Sequence, residues 1–158
     1  MRFEVAIDLA ALDEPDELAY PFSQPLLGGR GLPYIEPLAV WRALLGDLHL
    51  KTPIGVIAAR FHRGLAQAIV AMAVRLAGPE RAYETVALSG GCFQNATLFA
   101  LVHEGLAARG FTVLSHEKVP ANDGGLALGQ ALVALAVQKK NWGENHVPRN
   151  PGPSHRDQ

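Results

Sequence analysis

Two short apolar runs, Val86-Ala87-Leu88 and Phe111 to Leu114, are each followed by a glycine pair: Gly90 and Gly91 after the first, Gly124 and Gly125 after the second. Between the runs, Leu98, Leu101 or Val102, and Leu106 recur at helical spacing, and Gly110 closes the helix they predict. Strand, helix and strand in that order make a parallel pair joined by a crossover, which is right-handed in nearly all known cases. Both glycine pairs then lie on one edge, beyond the carboxyl ends of the strands. In open α/β sheets ligands bind at that edge, where helix N-termini point outward.

The rest of the chain predicts helices around this unit. Residues 1 to about 13 read as a helix stopped by Pro15, with Phe3, Ile7 and Ala10 or Ala11 on one face. Glycine and proline are dense from Pro21 to Pro37, and Gly28-Gly29-Arg30-Gly31 reads as a loop because no apolar strand precedes it. Leu38, Trp41, Leu44 or Leu45 and Leu48 predict a helix to His49. A longer one follows, with Thr52 as its cap, Pro53 in its first turn, a stripe from Ile54 to Leu76, and Gly78-Pro79 as its end. Arg60, His62 and Arg63 fall on this helix and read as a solvated flank, with His62 packed or solvated rather than catalytic. The final helix, Leu126 to about Gln138, is apolar on most sides and is expected to be buried nearly all round. Residues 1–140 thus read as one lobe, and 141–158, with Pro148, Pro151 and Pro153 among charges, as a disordered tail. The expected fold class is α/β, helix-rich with a small parallel sheet.

Charge and cysteine content narrow the function. The formal net charge is −1 with no basic cluster, which argues against a nucleic-acid partner. Cys92 is the single cysteine, so no internal disulfide framework exists and the cytoplasm is the default compartment. The apolar run from Leu126 to Val137 is too short and too interrupted to span a membrane, and the N-terminus lacks a signal-peptide core. Cys92 lies beside a predicted helix N-terminus but has no histidine adjacent in sequence, and reads as non-catalytic.

What remains is the chemistry of the two turns. Ser89 offers a hydroxyl, Gly90 and Gly91 allow close backbone approach, and Asn95 adds an amide, a set suited to a ribose, a base edge or a phosphate. The same residues read equally as a tight turn with Asn95 as N-cap. Asp123 either caps the following helix or holds a divalent cation beside phosphate oxygens, with the amides of Gly124 and Gly125 as anion donors. Both readings stay open on pattern alone.

Ser89-Gly90-Gly91-Cys92-Phe93-Gln94-Asn95 and Asn122-Asp123-Gly124-Gly125 with Leu126-Ala127-Leu128-Gly129-Gln130 closely resemble the carboxyl-terminal end of the HypF carbamoyltransferase family. Ala59-Arg60-Phe61-His62 is also similar to that family, and the match keeps its spacing from about Pro37 to Val137. The resemblance implies the second lobe of an actin-like (ASKHA) ATPase fold, shared with the TsaD enzymes. It implies a carbamoyltransferase that passes a carbamoyl group from carbamoyl adenylate, made with ATP, to the C-terminal cysteine of HypE in nickel-iron hydrogenase maturation. Carried over, Ser89, Gly90, Gly91 and Asn95 fall on the adenosine side of the cleft and Asp123 matches a metal-ligating aspartate; together with Gly124 and Gly125 of the acidic turn they are expected to bind ATP or carbamoyl adenylate and a divalent metal: iron, zinc or magnesium. The family's histidine-rich metal motif has no counterpart here, since His49, His62, His103, His116, His146 and His155 are not paired at ligand spacing. The domains that make the adenylate also lack counterparts, so the chain is expected to be a truncated or split HypF, covered by a first lobe or a second copy of itself. Two other readings stand beside it: half of an O-carbamoyltransferase, and a non-catalytic remnant that binds a maturation partner.

Overall fold

The computed structural model describes residues 2–29 and 31–145. Its elements are α1 (Arg2–Val5), α2 (Leu38–His49), α3 (Ile54–Ala77), β1 (Thr85–Leu88), α4 (Ala96–Ala107), β2 (Thr112–Ser115) and α5 (Leu126–Asn145), with short 3-10 turns between several of them. β1 and β2 pair in parallel, Thr85 with Thr112 through Leu88 with Ser115. This is the strand, helix, strand unit expected from the two apolar runs.

α3 is the spine. Its small residues let neighbours approach closely: a Cβ on Gly64 would stand 2.1 Å from the carbonyl oxygen of Tyr20, and one on Gly105 of α4 would stand 2.9 Å from Val70 Cγ2. Ala66, Val70 and Ala77 of α3 bury against Leu98, Val102 and Leu106 of α4, and Leu88 of β1 and Phe111, just before β2, close the cluster. A second, smaller cluster joins Tyr20, Val40 and Ile57, with Phe3, Phe22 and Phe61 packed on it. Both rest on apolar burial at roughly 25 cal/mol per Å².

The outcome differs from the sequence reading in several places. The N-terminal helix breaks after Val5; residues Leu9–Asp13 form a 3-10 turn that Asp8 caps by accepting the amide of Ala10 at 3.0 Å. Thr52 does not cap α3: its hydroxyl donates to Asp47 at 3.2 Å, and Pro53 occupies the N-cap. Arg60, His62 and Arg63 do not form a solvated flank. Arg60 bonds both Glu14 oxygens (2.9 and 3.2 Å) and both Asp47 oxygens (3.2 and 3.0 Å). Arg63 and His62 are buried, Arg63 reaching the Glu14 carbonyl and Asp16. Finally, α5 is no core element. Leu126, Leu128, Leu132, Val133, Leu135 and Val137 are each at least half exposed. The helix leans chiefly on the turn before it, so the all-round apolar surface that predicted burial faces outward here.

α5 also runs to Asn145, past the point where the tail was expected to begin; residues 146–158 lie outside the described residues. The sheet is open as well. Val86, Leu88 and Val113 face the core, while Leu114 on the other side is 54% exposed, although a parallel sheet ordinarily has both faces covered.

The Arg60 network shifts its members' protonation. Burial pushes the Tyr20 hydroxyl well above the ordinary phenol range, and its hydrogen bond to Asp47 adds to this. Burial alone would raise the Asp47 carboxyl, but hydrogen bonds from Tyr20 and Arg60 outweigh it and hold the group below the usual carboxylate value. Hydrogen bonds to Glu14, together with Asp47, push the guanidinium further up, so Arg60 stays charged.

Candidate functional site

The register of the sheet sets the site. Leu88 and Ser115 are partners, so the residue that follows each strand, Ser89 and His116, emerges side by side at the carboxyl edge. Their side chains meet: His116 Nε2 is 2.9 Å from Ser89 Oγ. Beyond them opens a cavity of about 680 Å³, walled by Ser89, Gly90 and His116 on one side and by Asp123, Gly125 and α5 on the other.

Each turn is locally determined. Gly90 has φ 103°, a conformation that residues with a Cβ rarely adopt, and its amide donates to the Ala121 carbonyl at 2.6 Å, tying the serine turn to the acidic loop. Gly91–Gln94 form one 3-10 turn that delivers Asn95 to the start of α4. In the acidic turn Asn122 is the cap. Its Oδ1 accepts the Gly124 amide at 3.0 Å, and its carbonyl accepts the Gly125 amide at 3.0 Å. The expected use of those two amides as anion donors is therefore corrected: both are already bonded, because an asparagine in that position folds back on its own backbone. Asp123 is thereby released from capping. Its carboxylate is exposed and has no hydrogen-bond or ion-pair partner among the described residues.

The candidate residues divide over two concavities. Ser89, Gly90, Asp123 and Gly125 line the larger one; Gly124 does not. Gly91 and Asn95 line a second cavity of about 360 Å³ behind the serine turn, with Glu4, His62 and Cys92. Asn95 is the N-cap of α4, its Oδ1 accepting the Leu98 amide at 2.8 Å, while its Nδ2 meets His62 at 2.7 Å; one amide hydrogen is left for a ligand. Glu4 shares the helix start, its carboxylate accepting the Ala96 amide at 2.7 Å.

As a metal centre the chain offers little by itself. Among the described residues no three His, Cys, Asp or Glu side chains come together. Asp123 provides one hard oxygen ligand, and a cation held there needs further ligands from outside these residues. No helix among the described residues is long and apolar enough to cross a membrane.

Sequence reasoning passed over His116 and Asn122. The signal for His116 was the register itself: Leu88 pairs with Ser115, so His116 stands opposite Ser89, whereas aligning the ends of the two apolar runs would have put Ser115 there. For Asn122 it was the Asn-Asp-Gly order, in which asparagine turns as readily as aspartate.

Comparison with known proteins gives the family. A profile described as the carbamoyltransferase Kae1-like domain, second subdomain, matches residues 3–130. The chain is 51% identical over 85 residues to a carbamoyltransferase HypF of Rhodobacter capsulatus, covering 54% of this chain and 11% of that protein. It is 34% identical over 107 residues to the HypF of Synechocystis, covering 66% of this chain and 13% of that one. It therefore spans about a tenth of the length of these relatives. Among solved structures, full-length HypF in a phosphate- and nucleotide-bound form superposes with a TM-score of 0.72 at 31% identity, over 85% of this chain and 17% of that one. HypF of T. kodakarensis shares the fold, with a TM-score of 0.63 at 24% identity over 88% of this chain and 17% of that one. The expected α/β lobe of an actin-like fold stands. By the match over residues 3–130, the chain belongs to the HypF carbamoyltransferase family, in the second subdomain of its Kae1-like domain.

Proposed function

We propose that this chain forms one wall of the nucleotide cleft of a HypF-like carbamoyltransferase. The whole enzyme would pass a carbamoyl group from carbamoyl adenylate to the C-terminal cysteine of a HypE-like acceptor in nickel-iron hydrogenase maturation. The observation that carries this reading is the cavity shared by Ser89 and Asp123. A relative 31% identical in sequence is described in a phosphate- and nucleotide-bound form, which supports a nucleotide as the ligand.

In this reading Ser89 Oγ and the backbone at Gly90 meet the ribose or phosphate of ATP or carbamoyl adenylate, and Gly125, where a Cβ would stand 2.9 Å from the Pro120 carbonyl oxygen, lets the acidic loop close beside them. Gly91 and Asn95 hold the serine turn from behind. Asp123 contributes one ligand to a divalent cation, iron, zinc or magnesium, which would neutralise phosphate charge when bound. Its other ligands, and a cover for α5 and the open face of the sheet, come from a first lobe or a second copy of the chain. The exposed leucines of α5 support the need for such a cover.

Isothermal titration of ATP with magnesium tests the proposal, with and without an added first lobe. Wild type should bind more tightly than Asp123→Ala, most visibly with the lobe present. Equal, weak binding by both proteins in both settings would reject it.

A further inference from the structure

His62 lies on α3 with 3% of its surface exposed, flanked by the rings of Phe3 and Phe61 at 5.8 and 5.9 Å. Its Nδ1 is 2.8 Å from the carbonyl oxygen of Ala58, one turn back along the helix. A carbonyl only accepts, so Nδ1 carries a proton, and Nε2 presents a lone pair because the Asn95 amide nitrogen facing it only donates. Nε2 stands 2.7 Å from Asn95 Nδ2. The Asn95 amide is oriented independently at its other end, because Oδ1 accepts the Leu98 amide at 2.8 Å and the nitrogen must therefore be the end that meets the imidazole. Tautomer and amide orientation follow from one chain of bonds running from Ala58 to Leu98.

We infer that His62 is a positioning residue: by fixing the rotamer of Asn95 it sets the geometry of the Ser89–Asn95 turn and hence its affinity for nucleotide. The claim about affinity rests on the proposed function; the hold on Asn95 does not. Asn95 joins the Gly91–Gln94 turn to α4, and its own amide donates to the Cys92 carbonyl at 3.2 Å, so a change in its side chain is transmitted directly to the glycines. The front of the turn is fixed by the Gly90 amide on Ala121. The back is fixed by His62. With both ends of the planar amide committed, the direction of the remaining Nδ2 hydrogen is dictated by the imidazole.

A merely space-filling role is distinguishable, since an apolar side chain of similar bulk would fill the same volume. On the full chain, His62→Leu should raise the hydrogen-exchange rate of the Leu98 amide and weaken ATP–magnesium binding, each by about five- to tenfold, the equivalent of one ordinary hydrogen bond. His62→Gln, whose carbonyl oxygen can accept from Asn95, should restore most of both. Wild-type exchange and affinity in His62→Leu would overturn the inference, as would equal losses in both variants alongside equal drops in melting temperature. A wild type that binds no ATP even with an added first lobe would reject the proposed function, while Leu98 exchange would still decide the hold on Asn95. Imidazole nitrogen shifts of the wild-type protein give a readout that needs no variant to fold: the inference requires the Nδ1-protonated tautomer, and an Nε2-protonated ring would overturn it.

Discussion

Asn122 accepts the amide hydrogen of Gly124 at 3.0 Å, and so does the capping that Asp123 next to it would otherwise do. The two residues should therefore separate in mutagenesis. Asp123→Ala is expected to leave stability within about 0.5 kcal/mol of wild type, as for a surface site without partners. It should nevertheless weaken metal-dependent nucleotide binding. Asn122→Ala should cost about 0.5–2 kcal/mol through loss of the cap. Denaturant melts and calorimetric titration of both variants check this.

Arg60 clamps Glu14 and Asp47, which are 46 and 13 residues away in sequence. Arg60→Met removes the cation and leaves two partly buried carboxylates facing no charge. The expected cost is about 3 kcal/mol, at the lower end for a broken buried pair because the group is not sealed from water. A shift of the urea midpoint at constant slope would show it.

The Tyr20 hydroxyl donates to Asp47 at 2.7 Å, and its pKa is raised by folding. A group with a raised folded pKa favours the folded state fully below its unfolded value and loses that contribution as pH climbs past it. Stability should therefore fall above about pH 10, and Tyr20→Phe should flatten that fall. Asp47 has the opposite sign. Its folded pKa is lowered, so its contribution holds above about pH 4 and is lost as the solution is acidified, a loss Asp47→Asn should remove. Unfolding free energies measured between about pH 3 and pH 11 on the three proteins test both directions.

Gly64 has no room for a methyl group, since its Cβ would lie 2.1 Å from a backbone carbonyl rather than from a side chain that could move. Gly64→Ala should destabilise by about 3 kcal/mol or more, against the small gain usual for alanine in a helix interior. Thermal melting decides the sign.

Leu128, Leu132 and Leu135 share one side of α5 and are each at least half exposed. Leu132→Glu should leave the monomer's stability within about 0.5 kcal/mol and reduce self-association. Sedimentation velocity across a concentration series would reveal the change.

The order of elements was legible because local signals and packing agreed. Leu98, Val102 and Leu106 recur at helical spacing and are the residues that meet α3. Gly78 and Gly110 end their elements with positive φ, the conformation that made them readable as stops. The polar network was not legible. Nothing near Arg60 in sequence announces Glu14, and a helical arginine beside an apolar stripe reads as solvated until the chain folds back. Periodicity misled at α5 for a related reason: it records what a surface needs, not whether these residues provide it. At the candidate site, Ser89 and Asp123, singled out by their chemistry, line one cavity, whereas His116 was visible only through register.

α5 is apolar on opposite sides. Successive residues advance about 100°, which puts Leu126, Val133 and Val137 along one line and Leu128, Leu132 and Leu135 along the other. The inner line borders, through Leu126 and Val133, the cavity that holds Ser89 and Asp123; the outer line is turned away from it. A body seated on the outer leucines would press on the same rod that borders that cavity, so covering one side of the helix should change the shape of the space on the other.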